Sequence, residues 1–260
     1  MSQLVRAEGI VLHSLRHGET SRIVTVFTRD LGRVGIIAKG ARSKRGRVGA
    51  ALEPFSRCAF LYYQKATRDI QLLKEVSLLD SHAGLRNKLP HLTIASALSE
   101  LCYLTLKDGD PHPDIYDMLD ESLKALDGAP ANPLPILWKF QLGLFSALGF
   151  ALSLSRCFQC GKELQPPFSG RVGFRFENGA FVGPECAREK TETNGTLSAE
   201  TFAALAFVAN HPAAIAAKLS LPDSGCHELQ SFLGKYLSFH LPVRARLRSL
   251  AALDWEEKAL

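Results

Sequence analysis

Three cysteines in the second half of the chain have the types and spacing to hold a metal. Cys157 and Cys160 form a C-x2-C pair, a spacing that turns two thiolates onto one ion, and Gly161 suits the turn that follows. Cys186 comes later, within GPEC. Three residues before it, where a second knuckle would carry its partner, the sequence has Gly183. Three thiolates leave a tetrahedral zinc one ligand short, so the fourth has to be recruited from Cys226 or His227, with Glu185 a weaker candidate. A catalytic zinc would keep that position for water, but no carboxylate stands in a catalytic pattern here, and the deaminase signature is absent. The expectation is a degenerate ribbon, packed by Phe168, Phe174, Phe176 and Phe181, that retains zinc substoichiometrically.

A second chemistry resides in KGARSKRGR, residues 39–47, where Lys39, Arg42, Lys44, Arg45 and Arg47 crowd five positive charges into nine residues. Such a cluster neutralises the phosphates of a polyanion without reading its sequence. The surrounding composition supports this. The net charge is +5, yet residues 1–50 carry ten Lys/Arg against three Asp/Glu, and the remainder carries 21 against 23. A positive field confined to the first fifth of the chain favours nucleic acid over a membrane surface, and charge alone leaves DNA and RNA equally open. Arg16 and Arg22, flanking the first connection with His17, extend the same path if the loops border a binding face.

These residues need a scaffold. Up to about residue 80 the chain reads as five short strands with turn signals between them: VRAEGIVLHSL, SRIVTVFTRD, GRVGIIAKG, FSRCAFLYYQ and DIQLLKEVSLL. Five strands in that length suit a Greek-key barrel of the OB type, although SH3-like barrels have similar counts. Alternation in the third strand puts Arg33, Gly35, Ile37 and Lys39 on one face and Val34, Ile36 and Ala38 on the other. The basic face thus leads into the basic loop. Phe55, Phe60, Tyr62 and Tyr63 could stack on bases, but each is better placed in a barrel core.

From residue 85 the period becomes helical, with Pro90, Pro113 and Pro133 each opening an apolar stripe. LSAETFAALAFVAN, CHELQSFLGKYLSFHL and RARLRSLAAL continue it. The acidic run DGDPHPDIYDMLDE lacks the central glycine of a calcium loop and reads as a helix start. The fold class is therefore α+β and multidomain. An OB barrel spans 1–80, and a helical bundle in two parts, 81–153 and 191–260, brackets the cysteine-containing ribbon-like segment at 154–190. No apolar run approaches the roughly 20 residues of a membrane helix, and MSQLVRAEGI has no signal-peptide core, so the expected address is cytoplasmic. Six cysteines then read as thiols or ligands rather than disulfides.

In order, these features resemble the RecO family of bacterial recombination mediators. The likeness lies in EGIVLHSLRHGETSRIVTVFTRDLGRVGIIAKGARS with LEPF, in LGFALSLSRCFQCGKEL, in GPEC and in LPVRARLRSL, and it covers nearly the whole chain. The resemblance implies an OB barrel joined to a helical bundle with a four-cysteine zinc ribbon, and no enzymatic chemistry. It also implies a nucleoid-associated protein that binds single- and double-stranded DNA, anneals complementary strands, associates with RecR and with the acidic tail of the single-strand-binding protein, and helps load RecA. The family's cysteine pattern maps onto Cys157, Cys160 and Cys186, with Gly183 the departure. Arg33, Lys39, Arg42, Lys44, Arg45 and Arg47, with Arg16 and Arg22, are the candidate DNA contacts. Lys139, Phe140, Arg156, Lys235 and Tyr236 are candidates for a tail-binding groove.

Overall fold

Short runs of β-branched and aromatic residues fill the first part of the chain, and β-strands that close into a barrel follow from them. In the computed structural model, which describes residues 2–41, 48–128, 130–188, 193–241 and 247–252, the chain divides into two units, Met1–Gly128 and Ala129–Leu260.

The first unit contains β1 (Gln3–His17), β2 (Ser21–Thr28), β3 (Gly32–Ala38), a one-turn helix α1 (Val48–Ala51), β4 (Arg57–Gln64) and β5 (Ile70–Asp80). The strands close into a barrel in the order β1-β2-β3-β5-β4, with β1 also pairing β4. Only the β3–β5 pairing is parallel among the barrel ladders. That order is the OB topology. β1 is long because it serves two partners: Gln3–Ile10 lies on β4 and Gly9–His17 on β2, with a register shift between Val11 and His13 where it bends. Val11, Val24, Val26, Ile36, Leu52, Phe60 and Tyr62 fill the interior. Phe60 and Tyr62 are therefore core residues, each contributing roughly 1.5–3 kcal/mol by burial. In β3, Ile36 and Ala38 point inward while Arg33, Gly35 and Ile37 keep partial exposure, as their alternation dictates.

Two helices complete this unit. α2 (Leu89–Thr105) and α3 (Pro113–Asp127) each begin with a proline in the first turn, where its missing N–H is not needed. The α3 stripe Ile115, Leu119, Leu123 and Leu126 is buried, and Tyr116 meets Phe27 of the barrel edge to face at 5.7 Å.

The second unit comprises α4 (Leu134–Ala147), β6 (Arg171–Arg175), β7 (Ala180–Val182), α5 (Pro184–Arg188), β8 (Gly195–Ser198), α6 (Ala199–Asn210), α7 (Ala213–Ala216) and α8 (Asp223–His240). β6, β7 and β8 form an antiparallel sheet in the order β7-β6-β8. One face packs on the helices through a cluster of rings, in which Phe174 and Phe181 meet Phe232 and Phe181 meets Phe202, at 4.7–5.8 Å. Within RARLRSLAAL, Arg248–Ala252 is a 3-10 turn rather than an α-helix, and residues 242–246 lie outside the described residues. No described helix is long and apolar enough to cross a membrane.

Candidate nucleic-acid interface and cysteine cluster

The outer face of β1, β2 and β3 forms one wall of a groove of about 600 Å³, and α2 supplies another part through Tyr103. Leu12, Leu15, Ile23 and Ile70 make its floor apolar, with Leu15 54% and Ile70 41% exposed. Tyr103 is 51% exposed, and its ring stands 6.4 Å from that of His13. Tyr103 of α2 thus presents an exposed aromatic ring beside the strand face. Tyr63 is also exposed, on β4, whereas Phe55, Phe60 and Tyr62 are buried. Tyr103 escapes sequence reading because it sits in a helix rather than a strand. Its signal is that it departs from the stripe of Ile94, Leu98 and Leu101, so an aromatic ring is left outside the helix's buried face.

The arginines on this face are not equivalent. Arg33 directs Nε to Asp108 Oδ1 at 2.9 Å, donates to the Tyr103 carbonyl, and lies 4.9 Å from the centre of the Tyr103 ring. The Arg33 carbonyl accepts from Gly109 N–H at 3.1 Å. Arg33 thus fastens the α2–α3 connection to β3. Arg22 reaches Glu53 at 2.8 Å and donates to Ser14 Oγ at 3.4 Å. Arg16, its partner across the β1–β2 ladder, is exposed, and so is Lys39 at the exit of β3. Arg42, Lys44, Arg45 and Arg47 lie outside the described residues, between Ala41 and the start of α1. Asp69, Glu100 and Asp108 also border the groove, so its electrostatics suit the faces of bases better than a run of phosphates.

In the second unit the expected groove residues separate. Phe140 and Tyr236 are core, the latter donating its hydroxyl to the Phe150 carbonyl at 2.8 Å, while Arg156 and Lys235 are exposed. Lys139 Nζ donates to the Ala209 carbonyl at 2.8 Å.

The cysteine knuckle is built by short-range backbone bonds. Gly161 adopts φ +72°, a conformation other residues rarely take, and donates its N–H to the Cys157 carbonyl at 2.9 Å, while Cys157 N–H reaches the Lys162 carbonyl at 2.8 Å. Phe158 N–H donates to the Phe181 carbonyl of β7 at 2.8 Å, which docks the knuckle on the small sheet. α5 follows β7 directly and brings Cys186 to it. The result is three thiol sulfurs, of Cys157, Cys160 and Cys186, all within 4.8 Å of one another. Tetrahedral zinc with bonds of ~2.3 Å sets its sulfurs about 3.8 Å apart, so the cluster fits three corners of such a site.

The fourth corner is not filled by the residues expected for it. Cys226 is on α8, where its thiol approaches the Leu221 carbonyl, and neither it nor His227 joins the cluster; spacing along the chain gave no information on that separation. Glu185 holds Lys162 at 3.3 Å instead. Gly183 is at the place from which a fourth cysteine would project: a Cβ built there stands 3.8 Å from Cys157 Sγ and 3.3 Å from Leu164 Cδ2. Its N–H donates to Cys157 Sγ at 3.2 Å. Burial alone would push the Cys157 thiol up, but the N–H groups of Gly183, Cys160 and Gln159 outweigh it and bring the thiol down to about 7. Cys186 is pushed up to about 12, by its hydrogen bond with Cys160, by burial and by the neighbouring sulfurs. Three such thiols ionise together only when a cation offsets the charge. The phenylalanines of this segment pack it against the helices, and Phe168 also borders the cysteine cluster. Phe174 and Phe181 fasten the sheet to the helices, and Phe168 packs 5.6 Å from Phe202.

The family model described as recombination protein O N terminal matches residues 1–82, and that described as recombination protein O C terminal matches residues 86–251. A DNA repair protein RecO from Anaeromyxobacter sp. (strain Fw109-5) is 34% identical over 248 residues, 95% of each chain. A RecO from Rubrobacter xylanophilus is 34% identical over 249 residues, 95% of this chain and 96% of the relative. One from Chloroherpeton thalassium is 28% identical over 247 residues, 94% and 95% of the two chains.

Proposed function

The chain belongs to the RecO family, and from that premise we propose that it is a DNA repair and recombination mediator that binds single- and double-stranded DNA and anneals complementary strands. The observation that carries the reading is the closed OB barrel whose third strand runs into the five-charge segment 39–47. Lys39 and Arg16, both exposed, together with Arg42, Lys44, Arg45 and Arg47, contact phosphates. Arg33 and Arg22 support the same face from their ion pairs with Asp108 and Glu53. Bases lie on the apolar groove and stack on Tyr103, an arrangement that accepts any sequence because every base has a flat face.

Annealing follows from this division. Neutralising phosphates lowers the repulsion between two strands, and contacts that read no base edge leave those edges available for pairing. No step breaks or forms a covalent bond, so the protein acts without enzymatic turnover. A strand already coated by another protein presents its phosphates to both competitors equally. A second handle is then required, and the acidic tail of the single-strand-binding protein supplies it, with the helical unit as receiver. RecR and, through it, RecA complete the assembly. The cysteine cluster holds zinc as a structural ion.

Competition binding tests the nucleic-acid class. Labelled single-stranded DNA should be displaced by unlabelled DNA and markedly less well by RNA of the same sequence. Equal or better displacement by RNA would assign the barrel to an RNA-binding module without a recombination role, since the charge pattern serves both polymers.

A further inference from the structure

The cluster of Cys157, Cys160 and Cys186 supplies three sulfurs to one point, and no further His, Cys, Asp or Glu among the described residues brings a ligand atom within 4.8 Å of all three. Gly183 occupies the backbone position facing that point, with only hydrogen where a side chain would hang. Gly183 borders a cavity of about 390 Å³ that is also lined by all three cysteines, Leu164, Phe168 and the carboxylate residues Glu163 and Glu185. That volume takes a small organic molecule as well as water. Cys160 is exposed, so the cavity is reached from solvent.

Resting on the reading that the cluster holds zinc, we propose that this is a three-thiolate centre whose fourth coordination position, opened by Gly183, takes a small thiol from solution. A sulfur-rich tetrahedral set selects zinc among the common divalent ions, and a fourth sulfur donor completes the same set. The exchange is acid–base only. Zinc would be held by the three cysteines as thiolates, whatever protons they still carry going to solvent, and an incoming thiol would give up its own proton as its sulfur took the fourth position, with no electron transferred. The ligand is held by one bond to the metal and by Leu164 and Phe168 beside it, so it is exchangeable, and the zinc is correspondingly easier to lose than from a closed four-cysteine ribbon.

Cobalt(II) serves as the probe, added to the metal-free full-length chain kept reduced with a phosphine. The sulfur-to-cobalt absorption in the near ultraviolet scales with the number of thiolates, so 2-mercaptoethanol should raise it saturably by about a third, from three sulfurs to four. Gly183→Cys should show the four-sulfur intensity at once, ignore added thiol, and hold zinc more tightly against a chelator. Cys226→Ala and His227→Ala should behave as the unaltered chain. Absence of any cobalt–sulfur band would overturn the zinc reading itself. A full-strength band that does not respond to thiol would leave the metal in place and overturn the open position, and loss of intensity in the Cys226 or His227 variant would show an internal fourth ligand. The thiol response of the unaltered protein decides the matter even if Gly183→Cys fails to fold.

Discussion

Replacing Arg33 by Ala separates a structural arginine from a phosphate ligand on the same face. The side chain is only 14% exposed and its partner Asp108 is 75% exposed, so the ion pair is a surface one worth at most about 1 kcal/mol. The hydrogen bond to the Tyr103 carbonyl adds about 1 kcal/mol, and the guanidinium over the Tyr103 ring about 0.5–1 kcal/mol. Together these give a loss of about 2–3 kcal/mol from the first unit. With a urea dependence of ~1–3 kcal/mol per molar, the midpoint of its unfolding should fall by about 1 M or more. The logarithmic salt slope for binding single-stranded DNA should stay where it was, because no phosphate contact is lost. Urea titration by circular dichroism and DNA binding at several salt concentrations measure the two quantities. A slope reduced by about 0.7 with little change in midpoint would refute the assignment, and would make Arg33 a phosphate contact that leaves Asp108 when DNA arrives.

Lys39→Ala should do the reverse, lowering the salt slope by about 0.7 on single strands with stability unchanged, and joint replacement of Arg42, Lys44 and Arg45 by Ala should lower it by about 2. An unchanged slope in the triple variant would remove segment 39–47 from the interface. Glu228 should contribute a pH-dependent part of stability. Burial pushes its carboxyl up, but hydrogen bonds from Thr201, Ser198 and Arg171 outweigh this and hold it below its ordinary value of 4.5. A depressed carboxylate stabilises fully above the ordinary value, and the contribution is lost as pH falls through the lower folded value. Glu228→Gln should therefore be less stable than the parent at pH 7, with the difference narrowing below about pH 4; a difference independent of pH would contradict the assignment. Cys58 and Cys102, whose thiols burial pushes up, Cys58 to about 12, should react with a thiol reagent at about pH 8 only after unfolding, while Cys160 reacts in the folded, metal-free protein. Equal native reactivity would mean that the barrel and α2 open more readily than their packing implies.

The barrel was legible because its strands are rich in β-branched and aromatic residues and because glycines and charged turns separate the runs. Alternation is clean in β4, whereas β1 buries Gly9–Leu12 in succession and β5 exposes Leu78 and Leu79. The helices after Pro90, Pro113 and Pro133 were legible from apolar stripes at period 3.6. The small sheet was not. β7 has three residues and β8 four, too few for a period to emerge, and β8 runs directly into α6 at Ser198. The cysteine cluster was visible as spacing, yet the separation of Cys226 and His227 from it depends on how α8 packs, which spacing does not encode. Charge showed where positive side chains are concentrated, but Arg33 and Lys39 look alike on one strand face. Only the approach of Asp108, 75 residues further on, distinguishes the one that is held from the one that is exposed. Tyr103 was hidden for a similar reason, since a tyrosine in an apolar helix shows its exposure only when that helix lies against the barrel.

The central claim is that the barrel brings complementary strands together, and the rate of annealing of two complementary oligonucleotides tests it most directly. The full-length protein should accelerate duplex formation well beyond the spontaneous rate. The gain should shrink as salt rises and should largely disappear in the variant with Arg42, Lys44 and Arg45 replaced by Ala. Tight binding of both strands with no acceleration of annealing would contradict the account.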